Sequence, residues 1–215
     1  MQRMDTERQV LRINIDGRWE ASEFAASFSA LDRLYTFRLG LEMEYEELRE
    51  LRRFYFDTPF PSSMRYMRRW AVAARSSLLH PDRAPLVSAA RISAISELLE
   101  PDERLVVRRI SYASPGIKDL AGIGEIIGHV KDLLLHLIDL WSTRRQRSLE
   151  NERRELENQQ LQVAIAKEFV SFAKELGYSQ GEMRQIVALV IREQQPLVRL
   201  ITKGKITSAE SVDGS

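Results

Sequence analysis

The densest concentration of side chains suited to ligand chemistry runs from Arg52 to Trp70. It holds Phe54, Tyr55, Phe56, Phe60, Tyr66 and Trp70, interleaved with Arg52, Arg53, Arg65, Arg68 and Arg69 and one acid, Asp57. Flat rings stack bases and guanidinium forks hold phosphates, so the segment is a candidate surface for single-stranded nucleic acid or a nucleotide. The competing explanation places the rings in a core where two helices meet and turns the arginines to water. A second candidate lies near the C-terminus, across 169–192. Ala173, Gly177 and Met183 stand at the spacing of the small, turn and buried positions of a helix-turn-helix, which would give Gln180, Arg184, Gln185 and Arg192 to the recognition helix. Any tight helical hairpin also needs a glycine turn with apolar flanks, and Gly181 and Glu182 suit a DNA-reading helix poorly.

Three further patterns carry less. Glu125, His129, Asp132, His136 and Asp139 share one helical face. Imidazole and carboxylate at that spacing can hold zinc or a di-metal centre. The opposite face is apolar (Ile126, Ile127, Val130, Leu133, Leu134, Leu137), so the simpler explanation is a solvated helix side, and no metal ligand is assigned. Gly122, Gly124 and Gly128 have part of the glycine spacing of a dinucleotide loop, but that loop must directly follow a strand. The apolar pattern here predicts helix, with Gly124 and Gly128 allowing close backbone packing. The turn Ser111–Gly116 joins a strand to an expected helix start, where free amides favour an anion. Ser114 as cap and Pro115 at the first helical position explain it without a ligand. His80, His129 and His136 assemble into no nucleophile–base arrangement, so no catalytic or cofactor-binding residue is assigned and the reading leans away from an enzyme.

Composition sets the broader class. The chain has 215 residues, 44% hydrophobic and 29% charged, as in a folded globular protein. A net charge of +1 makes no global case for a polyanionic partner. Its 26 arginines against 6 lysines fit a GC-rich bacterial genome. The absence of cysteine excludes disulfides and thiolate metal sites and fits a reducing cytoplasm. The apolar stretch from Ile117 to Trp141 carries too many charges to span a membrane.

Positioning these residues requires an α+β fold that is predominantly helical. Leu11, Ile13 and Ile15 alternate with Arg12 and Asn14, predicting a strand near 10–15, and Leu105–Tyr112 predicts a second near 105–112. Helix is expected from Ser22, as cap, to about Arg53, with an exposed, charged second half. Further helix is expected over 64–79 and 86–99. From His129 to Leu176 there is neither glycine nor proline. As one helix this run would reach roughly 70 Å, so part of it must leave the body.

Leu149, Leu156, Val163 and Val170 recur every seventh residue, and Ile165, Phe169, Phe172 and Leu176 add a second stripe. Together they predict a coiled-coil-like arm and a homo-oligomer. The expected division is an α+β domain over 1–115, a long helix over 116–176, the second helix of a hairpin over 177–206 and a disordered tail over 207–215. The expected function is a non-enzymatic, cytoplasmic interaction or scaffold protein without cofactor or transmembrane segment. A nucleic-acid- or nucleotide-binding regulator using 52–70 or 169–192 is the alternative.

Overall fold

The computed structural model describes residues 8–52, 95–96, 99–112, 114–146, 178 and 180–213, with backbone alone for 44–52, 144–146 and 213. In chain order the elements are β1 (Arg8–Ile15), α1 (Ala21–Arg52), β2 (Val106–Ser111), β3 (Gly116–Ile123), α2 (Gly124–Gln146), α3 (Gln180–Thr202) and β4 (Ile206–Asp213). The four strands form one antiparallel sheet in the order β2-β3-β1-β4. β1 and β2 are thus parallel with β3 between them, and β3 and β4 are parallel with β1 between them. The result is two interlocked split β-α-β units.

The alternation in β1 is realised as expected. Leu11, Ile13 and Ile15 are buried on the helix side, while Arg12 and Asn14 stand on the other face. Partners in register share a face, so Leu120 joins Leu11, and Lys118 and Ala209 join Ile13. Leu31 and Leu34 of α1, Ile126, Ile127 and Leu134 of α2, and Ile186, Val190 and Leu197 of α3 close the core over that face. Each such side chain contributes about 1.5–3 kcal/mol on burial.

Several expectations are corrected. Residues 116–123 form β3 rather than the start of a helix, because this segment finds strand partners on both sides, β1 and β2, and the helix begins only at Gly124. Ser114–Pro115 is a cis peptide in the β2–β3 hairpin and not a helix cap. The expected disordered tail over 207–215 is instead largely β4, hydrogen-bonded along β1 with Ile206 and Ala209 buried. What sends the chain back is the end of α3. Gly204, at φ +70°, takes the left-handed position, its N–H donates to Ile201 O (2.9 Å) and Lys205 N–H to Leu200 O (2.8 Å), closing the helix with a paired reversal.

α1 is not capped by Ser22. Glu20 precedes the helix, its C=O accepts from Phe24 N–H (3.1 Å), and its own N–H donates to Glu23 Oε2 at 3.0 Å, the acidic half of a capping box. Nor does exposure begin where charge begins. Arg38 and Glu42 are both buried and joined at 2.6 Å. Burial pushes the Glu42 carboxyl up, opposed by the adjacent guanidinium. Of the helix expected over 86–99, residues 95–96 are described and helical, and Leu99 N–H donates to Ile95 O. The helix expected over 64–79 and the part of the expected 116–176 arm beyond Gln146 lie outside the described residues, so only the α3 side of the expected hairpin is described.

Candidate functional site

At the end of the sheet where β1 leaves and β3 enters, a lysine points into the core. Lys118 occupies the helix-side position opposite Ile13 and is 1% exposed. Two turns of α1 and the segment leading into it build its surroundings. The Nζ atom lies 3.7 Å from the ring centre of Trp19, 4.4 Å from that of Phe24 and 4.8 Å from that of Phe28. It donates to Ser27 Oγ at 2.8 Å, and Ser27 in turn donates to Phe24 O. Phe24, Ser27 and Phe28 fall together because three- and four-residue steps share a helical face. Burial lowers the lysine to about 7, with Glu23 opposing that shift. Ring faces favour a cation and act in the same sense as Glu23.

The rim of this box is ionic and tightly tied. Glu23 accepts from the Glu20 N–H and from Lys203 (3.0 Å) and Lys205, which together hold it at about 2. Asp16 accepts from Ser114 Oγ and from the Gly17 N–H (2.7 Å), and both contacts pull its carboxyl down. The Tyr112 hydroxyl accepts from the Trp19 N–H at 3.0 Å, and its ring meets Phe24 edge-on at 5.8 Å. A lysine near neutrality is a potential nucleophile, but this one faces rings and a hydroxyl rather than solvent. In this structure it bridges β3 and the start of α1.

Beside the box the sheet is open. β2 is an edge strand, and every residue from Val106 to Ile110 is exposed. Val106 (41%), Val107 (45%), Ile110 (48%) and Tyr112 (57%) are four of the six large apolar side chains exposed among the described residues. Val107 and Ile110 pair with Leu120 and Lys118, so they stand on the helix side and continue its apolar surface outward. Val106 and Arg109 stand on the opposite face, opposite Ala121 and Asp119, and Arg108 falls at a register shift. Asp119 is already held by Arg12 through two bonds of 2.9 and 3.0 Å. Arg108 and Arg109 form no ion pair among the described residues.

The residues singled out by sequence are placed as follows. Arg52 is the last residue of α1, and Arg53, Arg65, Tyr66, Arg68, Arg69 and Trp70 lie outside the described residues, as do Leu149, Leu156, Val163, Ile165, Phe169, Val170, Phe172 and Leu176. Ala173 and Gly177 lie outside them too. Gln180, Arg184, Gln185 and Arg192 are exposed on α3, where Arg192 pairs with Glu193 (2.8 Å) and Arg33 pairs with the same acid (3.0 Å).

On α2, Glu125, Asp132, His136 and Asp139 are exposed, and Nε2 of His129 accepts from the Arg38 guanidinium at 2.8 Å. Arginine has no acceptor, so the His129 proton sits on Nδ1. No group of three metal-ligating side chains occurs among the described residues. The strand-to-helix context denied to Gly122–Gly124 is in fact present, yet the loop is filled. Tyr35 packs against Gly122, and its hydroxyl accepts from the Ile123 N–H (2.9 Å) and donates to Glu103 O (2.8 Å). A Cβ at Gly128 would meet nothing within 4 Å, so close packing does not explain that glycine.

Sequence reasoning missed the lysine box and the open edge. Trp19, Phe24 and Phe28 after the Asp16–Gly17 turn were a legible aromatic cluster. Nothing local marked Lys118 as their partner. Comparison with known proteins finds no matching family model, no matching curated relative and no matching solved structure.

Proposed function

We propose that the chain is a non-enzymatic interaction protein that works by assembly, with an α+β body and a helical arm through which copies associate. The observation that carries this reading is the continuity of α2 with the breaker-free run. α2 is helical to Gln146, and its apolar face (Ile126, Ile127, Val130, Leu134) is already used inside the body. The run continues to Leu176 with Leu149, Leu156, Val163 and Val170 at seven-residue spacing, which suits a seam between helices. The open, partly apolar β2 edge supports an interaction role from a second place on the molecule. A cytoplasmic setting belongs to the proposal and is supported by the lack of cysteine. Among the described residues no helix is long and apolar enough to cross a membrane.

Light scattering on the eluting full-length protein tests the proposal. The expected result is a mass of at least two chains, falling to one chain when Leu149, Leu156, Val163 and Val170 are all changed to Ser. A wild-type protein of single-chain mass across a wide concentration range overturns it.

A further inference from the structure

We infer that β2 is an acceptor edge for an extended partner segment in which apolar and acidic side chains alternate. As an edge strand, β2 turns a row of backbone N–H and C=O groups outward with no described strand to receive them. An added strand would meet two different faces, because successive side chains point to opposite sides. On the helix side it meets Val107 and Ile110, and on the other side Val106 and Arg109, with Arg108 at the irregularity between them. Tyr112 closes the row and is held in place before any partner arrives, its hydroxyl by the Trp19 N–H at 3.0 Å and its ring by Phe24 at 5.8 Å. A fixed, exposed tyrosine loses little freedom on contact and is a good anchor.

Charge selects the occupant. Arg108 and Arg109 are exposed and make no ion pair among the described residues. An arginine pair and a bulge are the usual means by which an edge refuses indiscriminate pairing. They also disfavour a second copy here, since a two-fold antiparallel β2–β2 pair centred on the strand sets Arg108 against Arg109 twice. The same arginines attract a segment carrying carboxylates, so repulsion and attraction select in one direction. This surface is separate from the 149–176 arm, and it goes beyond the assembly reading by naming a partner chemistry.

The test is fluorescence anisotropy with full-length protein and a labelled peptide alternating Val and Glu, alongside its Val–Lys counterpart and single-stranded RNA. The expected result is binding of the acidic peptide alone, weakened about tenfold by R108E with R109E. Hydrogen exchange should then slow in 106–111. Three results overturn the inference: no peptide binding up to about 1 mM, a concentration matching only about −4 kcal/mol; equal binding of the basic peptide; or RNA binding without peptide binding. Protection appearing in 206–213 alone would also overturn it, by moving the contact to the opposite edge. A single-chain mass in light scattering would defeat the arm and leave this outcome untouched.

Discussion

Replacing Lys118 with Met separates the burial of an amine from the burial of a side chain of similar length. Burial takes the ammonium from 10.5 to about 7, and each pH unit is worth about 1.4 kcal/mol. That shift, in which burial is already opposed by Glu23, costs the fold up to about 5 kcal/mol wherever the folded state is forced to hold the proton. The faces of Trp19, Phe24 and Phe28, at 3.7, 4.4 and 4.8 Å, return about 0.5–2 kcal/mol. A net penalty of about 3 kcal/mol remains at neutral pH. Ser27 keeps its bond to Phe24 O in the variant, so no new orphan is created on that side.

The direction with pH follows from which state holds the proton. Below about 7 both folded and unfolded chains are protonated and the penalty is complete. Above it the folded lysine releases its proton while the unfolded one keeps it to 10.5, so stability rises with pH. Tyr35, pushed up to about 12 by burial, opposes this only once an unfolded tyrosine begins to ionise, near pH 10. Urea unfolding followed by tryptophan fluorescence between about pH 7 and 9.5 therefore isolates the lysine. The wild type should gain about 1 kcal/mol per pH unit relative to Lys118→Met, and the variant should be the more stable protein at pH 7. Parallel pH profiles for the two proteins, or a variant less stable at pH 7, would refute the reasoning and make the aromatic box a net stabiliser of the cation.

Other perturbations are sharper in sign than in size. Gly122→Ala sets a Cβ 2.7 Å from Tyr35 Cε2 and 3.0 Å from its Cζ and Oη, which should cost about 1–3 kcal/mol; an unchanged melting temperature would contradict the packing. Glu23→Gln removes a carboxylate held at about 2 instead of 4.5, whose stabilisation is present above 4.5 and lost as pH falls toward 2. Acid titration of stability should flatten in that variant by at most about 3 kcal/mol, and an unaltered acid limb would count against the Lys203–Glu23–Lys205 cluster. Removing 206–215 deletes β4 and the buried Ile206 and Ala209; the truncated protein should lose cooperative thermal unfolding, whereas full retention would restore the disordered tail.

The sheet was half legible, and the missing half failed for a physical reason. β1 announces itself because its core face is filled by its own side chains, Leu11, Ile13 and Ile15. β3 lies beside it with the same geometry, but its core-facing positions include Gly116, Lys118 and Gly122. The space they leave is filled from α1 and the segment leading into it, by Tyr35 at Gly122 and by Trp19, Phe24 and Phe28 around Lys118. A period-two signal depends on each strand supplying its own apolar surface, and β3 borrows its surface from another element.

β4 was hidden differently. Ile15 pairs with Ile206 but Ile13 with Ala209, so the register shift at Asn14/Ile15 moves the buried positions three residues apart where an unbroken strand would put them two apart. The irregularity between Val107 and Arg109 does the same to β2, yet β2 was legible from its β-branched residues alone.

The buried charges follow the same logic. Glu42 read as the start of an exposed, charged second half of α1 because a run of charges on an isolated helix is what a solvated face shows. The Arg38–Glu42 pair is buried, and α2 brings His129 to the Arg38 guanidinium. The box was illegible for the reason β3 was: Lys118 has meaning only once ninety residues of separation have been closed. Lys118 and Ile110, partners across β3 and β2, then place the buried amine and the open apolar edge side by side on one face of the sheet.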